Sequence, residues 1–131
     1  MKLPVRTKNA MLLGNRLIAH IRTVQEYRKK HGRLPTRPYL TYSQLQEQTG
    51  AKFAMVGIGQ FLSELMEAIQ SSDTPKEVRC LTLFVTPVGG TIDYTKGSDD
   101  WYGINTTNSA RYRAAVLEQD WAEVAFVSKD Q

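Results

Sequence analysis

The strongest constraint in this sequence is an uninterrupted amphipathic pattern running from residue 8 to about residue 30. Leu13, Leu17, Ile21 and Val24 recur at spacings of four, four and three, and Ala10, Ile18 and Tyr27 widen the stripe. That period puts them on one face of a single long helix, 8–31, whose apolar side other elements must cover. Arg16, Arg22, Lys29 and Lys30 fall largely off the stripe. Gly32, with Lys29, Lys30 and His31 beside it, is a C-terminal stop signal. Leu34-Pro35-Thr36-Arg37-Pro38 then reads as a stiff basic connector, because each proline keeps its predecessor out of the helical region.

Two more helices follow. Thr41-Tyr42-Ser43-Gln44 has the residues of a capping box, with Tyr42 and Leu45 facing inward and Gly50 placed to end the helix in a left-handed conformation. From about Val56 to Ser71, the residues Ile58, Phe61, Leu62, Leu65, Met66 and Ile69 make a broad stripe at helical spacing. Glu64 and Glu67 are expected on its solvent side. Beyond a breaker at Asp73-Thr74-Pro75-Lys76, residues 78–86 (VRCLTLFVT) are rich in β-formers. Pro87-Val88-Gly89-Gly90 is a turn, and Thr91-Ile92-Asp93-Tyr94 fits a returning strand. Residues 96–105 form a polar loop with Trp101 and Tyr102. A last helix is expected over 108–120, after which Trp121 is a core residue and 121–127 fits either more helix or a short strand.

Charge divides the chain unevenly. The total is +4, yet residues 1–38 hold ten basic side chains against one acid, Glu26, whereas the other 93 residues carry a net −5. A concentrated basic segment suits a polyanion or an acidic protein surface. At 131 residues the chain has the length of one ordinary domain, and 41% hydrophobic residues supply a core. No apolar run approaches the ~20 residues that span a bilayer, and the first residues lack the apolar segment of a signal peptide. The lone Cys80 excludes an internal disulfide or a cysteine-based zinc site and fits a reducing cytoplasm. His20 and His31 lack the companions a metal site needs, and His20 beside the helix stripe reads as a packing residue. Asp93, Asp99 and Asp100 read as a solvated loop cluster. No cofactor is expected.

Three helices followed by a strand–turn–strand is the order of a winged-helix domain. The string Leu40-Thr41-Tyr42-Ser43-Gln44-Leu45, then Gly50, then Val56-Gly57-Ile58-Gly59-Gln60-Phe61-Leu62, resembles the winged-helix module of alkylguanine-DNA alkyltransferase-like proteins. It is also similar to small uncharacterised prokaryotic proteins, some from mobile elements, that share the threonine-tyrosine-x-x-leucine opening. The resemblance covers residues 40–95 and implies DNA binding in a bacterial or phage setting. It does not extend to alkyl transfer: that chemistry needs a proline-cysteine-histidine-arginine string, and Cys80 sits in Val78-Arg79-Cys80-Leu81 with no histidine after it. A cysteine entering a strand reads as a small buried hydrophobe.

The expected architecture is therefore a single α+β domain, a winged-helix-like three-helix core with a β-hairpin plus a C-terminal helix packed back on the first. The expected function is non-enzymatic nucleic-acid binding. Arg28, Lys29, Lys30, Arg33 and Arg37 would contact phosphates, with Lys52 and Gln60 nearest the groove. The alternative is a protein-interaction module, such as a phage or mobile-element inhibitor or an assembly subunit, using Trp101, Tyr102, Glu64 and Glu67. Association between copies through the oppositely charged halves is a further expectation.

Overall fold

The computed structural model describes residues 1–53, 57–70, 85–86 and 109–129. Within them the chain is α+β, with four helices and short parallel strand pairs. Strand β1 (Lys2–Val5) leads into helix α1 (Lys8–His31), followed by β2 (Leu40–Thr41), α2 (Tyr42–Thr49) and α3 (Ile58–Gln70). Strand β3 (Val85–Thr86), helix α4 (Ser109–Glu118) and strand β4 (Ala125–Ser128) complete it. Cys80, the expected return strand over 91–94, the aspartates 93, 99 and 100, and Trp101 and Tyr102 lie outside the described residues.

Helix α1 is the central rod. Ala10, Leu13, Leu17, Ile18, Ile21 and Val24 are all buried, as the stripe predicts. The helix packs against α2, α3 and β4. Its end follows from Gly32, which takes the left-handed conformation (φ 71°) and donates its N–H to the Arg28 carbonyl. Its start follows from Thr7, whose hydroxyl accepts from the Ala10 N–H at 3.2 Å.

Glu64 departs from expectation. It is not solvent-facing but only 5% exposed, and it reaches the start of α1. Its Oε1 accepts from the backbone N–H groups of Arg6 and Thr7, each at 2.9 Å, and its Oε2 accepts from the Thr7 hydroxyl at 2.9 Å. Helical spacing places Glu64 beside Leu65 on the rim of the stripe, and three donors at an electropositive helix N-terminus turn that rim position inward. Glu67, one turn on, is exposed as expected and meets Arg6 at 3.8 Å.

The two ends of the described chain meet. β1 and β4 pair in parallel, with Leu3 opposite Phe126 and Val5 opposite Ser128. Leu3, Val5 and Phe126 point inward and are almost fully buried. Residues 121–127 thus resolve into a turn and a strand rather than more helix. On the edge of β4 away from β1, the Asn15 side chain takes the place of a neighbouring strand. Its Oδ1 accepts from the Phe126 N–H at 2.7 Å, and its Nδ2 donates to the Phe126 carbonyl at 3.0 Å. Gly14 makes that approach possible: a Cβ there would stand 2.5 Å from the Phe126 ring and 2.6 Å from Leu65.

Helix α2 opens with the full capping box, Thr41 and Gln44 exchanging side-chain and backbone hydrogen bonds, and closes at Gly50 (φ 68°). β2 pairs in parallel with β3, Leu40 opposite Val85 and Thr41 opposite Thr86, the part of the expected 78–86 strand that is described. Helix α4 buries Tyr112, Val116 and Leu117. Trp121 is core, as expected, and its Nε1 donates to the Val116 carbonyl at 2.8 Å.

Two outcomes follow for stability. Glu64→Ala strands three donors at a half-buried helix start and should cost about 3 kcal/mol, whereas Glu67→Ala should stay within about 0.5 kcal/mol. Urea midpoints of the two variants make the comparison. Gly14→Ala improves helix propensity by ~1 kcal/mol but must displace Phe126 and Leu65, so a net loss of about 1–3 kcal/mol is expected in the same assay. Stability equal to or above that of the parent would show that the contact has slack.

Candidate nucleic-acid interface

The expected cations sit where α1 ends and the connector begins. Lys29, Lys30, Arg33 and Arg37 are all exposed. The connector does not leave α1 freely. At its far end the Pro38 carbonyl accepts a hydrogen bond from Nε2 of His20, a residue eleven positions back from His31 on the same helix. Eleven residues of helix rise about 16 Å, and the six steps from Gly32 to Pro38 reach at most about 20 Å. Residues 32–38 therefore run back alongside the last three turns of α1 as a strap with little slack. Gly32 fixes one end, His20 the other, and Pro35 and Pro38 stiffen it.

His20 is half-buried. Burial holds its imidazole below the ordinary histidine range, opposed by the Pro38 hydrogen bond and reinforced by the nearby Arg16 cation. Nε2 carries the proton in this contact, because a carbonyl can only accept. His20 thus has the packing role expected of it, with a specific polar partner added.

Arg28 differs from its neighbours. Its Nη2 donates to the Leu117 carbonyl and to Glu118 Oε1, both at 3.2 Å. Gln25, one turn earlier, donates to the carbonyls of Leu117 (2.9 Å) and Gln119 (2.8 Å). Together they satisfy the Leu117 and Gln119 carbonyls at the end of α4 and place a cation at its negative pole. Arg28 therefore serves the packing of α4 on α1, a use that charge counting cannot foresee. Lys52 and Gln60 are exposed but stand elsewhere. The Lys52 carbonyl accepts from Asn9 at the opposite end of α1, roughly 30 Å of helix from Lys30.

Three contributors to the strap region escape a linear reading. Arg113 of α4, in the net acidic part of the chain, lies over the Tyr39 ring at 5.9 Å, just beyond the strap. The His31 ring, exposed, lies against Tyr27 with centroids 4.2 Å apart. Leu34 is 39% exposed, and with Met1 it completes the set of large hydrophobic side chains left exposed among the described residues. Tyr39 stands next to Pro38 in sequence, which is the signal that a basic connector continues into an aromatic. Nothing in the sequence alone connects Arg113 to it.

Among the described residues no group of three or more histidine, cysteine, aspartate or glutamate side chains is placed to hold a metal ion. No helix among them is long and apolar enough to cross a membrane. A groove of about 470 Å³ lies between β1 and α3, lined in part by Lys2, Pro4, Glu67 and Ala68, on a different part of the fold from the strap. No protein-family model matches the chain, and no curated protein and no solved structure is significantly similar to it.

His20 has a pH signature that comes from its burial rather than from the Pro38 contact. Because its folded pKa lies below the unfolded value near 6.5, the unfolded chain binds the proton more readily. Its contribution is complete above pH 6.5 and is lost as the pH falls toward the folded pKa. In His20→Gln, whose amide can still donate to Pro38, the change in melting temperature between pH 7.5 and 5.5 should be smaller than in the parent. Parallel pH profiles would show that His20 makes no such contribution.

Proposed function

We propose that this chain is a non-enzymatic nucleic-acid-binding protein whose phosphate contacts come from the strap and the last turn of α1. One observation carries the reading: Lys29, Lys30, Arg33 and Arg37 are exposed and belong to two segments held side by side by Gly32 and the His20–Pro38 hydrogen bond. Cations arranged in advance on a stiff support lose little conformational entropy on meeting a polyanion. Arg113, seated on Tyr39, extends the positive region from a second element. The order α1, β2, α2, α3, β3 supports a winged-helix-like scaffold. On that scaffold the basic contacts come from the first helix and its connector rather than from α3, whose opening turns carry glycines and Gln60. Contacts of this kind fix affinity and orientation more than sequence choice.

A protein partner docking on an acidic α3 is the alternative. It loses support from the burial of Glu64, which leaves Glu67 as the exposed acid of that pair, already beside Arg6.

The test is binding to a 20-mer of mixed sequence, presented both paired and unpaired, across a salt series. With four phosphates neutralised, the logarithm of affinity should fall against log salt with a slope of about −3 to −4. Arg33→Ala together with Arg37→Ala should flatten that slope by about 2 and weaken binding to all sequences alike. No binding to either form at low salt would retire the reading.

A further inference from the structure

The strap differs from a simple phosphate clamp in what stands between its cations. His31 precedes Gly32 and Arg33, Leu34 follows Arg33 directly, and Arg37 is followed by Pro38 and Tyr39. His31 and Leu34 are both exposed, so each offers an aromatic or apolar surface to solvent beside the cations. The His31 ring is supported from below by Tyr27. At the other end the Arg113 guanidinium is held over Tyr39.

Duplex DNA presents its phosphates on the outside and keeps its base faces stacked within, so against a duplex these surfaces meet no matching apolar partner. Unpaired nucleic acid is different. Its base faces are free to lie on rings, on aliphatic side chains and on guanidinium planes, while its phosphates follow a basic track. Alternation of cations with flat or apolar groups along one stiff segment is the pattern that such a strand matches.

We propose that the strap is a binding site for unpaired nucleic acid, with phosphates on Lys30, Arg33 and Arg37 and bases lying on His31, Leu34 and the Arg113–Tyr39 pair. This rests on the nucleic-acid reading above and narrows it to a substrate class. The strap's reach of about 20 Å sets a short footprint, near the lower end of the roughly 4–16 nucleotides typical of single-strand sites. Preference among bases should be weak, since every base has a face to offer.

The experiment is fluorescence anisotropy with labelled dT12 and with a labelled 12-base-pair duplex in one buffer. Binding to dT12 at least tenfold tighter than to the duplex is expected. His31→Ala and Leu34→Ser change exposed side chains outside the core, so the fold should survive, and circular dichroism checks it. Each should weaken dT12 binding about fivefold or more and leave duplex binding unchanged. Arg33→Ala with Arg37→Ala should weaken both, which reports on the phosphate contacts alone. Equal or tighter duplex binding, or dT12 affinity indifferent to His31→Ala and Leu34→Ser, would overturn the single-strand proposal while the broader reading stands. Failure to bind either probe would overturn both.

Discussion

The Glu64 carboxylate is the contact on which the arrangement of the other elements depends. It joins the turn between β1 and α1 to the middle of α3 and satisfies three donors at once. Its position is favourable for two separate reasons. Arg6 and Thr7, just ahead of α1, contribute two backbone N–H groups beside the partial positive charge of the helix start, and the Thr7 hydroxyl can donate to Glu64 while accepting from Ala10. A buried carboxylate without those partners would be strongly unfavourable. With them it fixes the angle at which α3 crosses the start of α1, and thereby the seats of Leu65, Met66 and Ile69 in the core.

From that fixed point the rest of the packing follows along α1. Gly14 lets the helix approach β4 and α3 together, and Asn15 uses the closeness to complete the hydrogen bonding of Phe126. Farther along, Gln25 and Arg28 receive the end of α4. Midway along the helix, His20 holds the far end of the returning connector. One helix thus organises four sets of neighbours with polar side chains that flank its apolar stripe. The long rod is therefore a scaffold with graded duties, core-forming at its start and carrying the cationic surface at its end.

Local rules made much of this legible. The period of Leu13, Leu17, Ile21 and Val24, the stop at Gly32 and the capping box at Thr41 depend on interactions within a few residues, and all appear at the expected places. Residues whose partners lie far away in sequence were not legible. Glu64 looks like a solvent-facing acid because its donors are 57 and 58 positions distant. Arg28 looks like a free cation because its partners Leu117 and Glu118 are 89 and 90 residues away. Asn15 and Gly14 carried a hint, since two weak helix formers adjoin in the middle of an otherwise regular stripe. For the strap, the two prolines and the basic residues were readable. Its fold back onto α1 depends on a single histidine–carbonyl hydrogen bond that no periodicity encodes.

The pairing of β1 with β4 has a consequence for how the molecule forms. The strand that begins at Lys2 finds its partner only at Ala125. Closing a loop of that size costs about 3 kcal/mol in chain entropy relative to a contact between near neighbours. During synthesis the face of α1 around Gly14 emerges long before Phe126 exists to cover it, and Asn15 has no strand to complete. The helices can associate early, but the sheet is a late event that waits for nearly the whole of this sequence. Its formation acts as a check that residues 125–128 have arrived, because until then β1 lacks its strand partner.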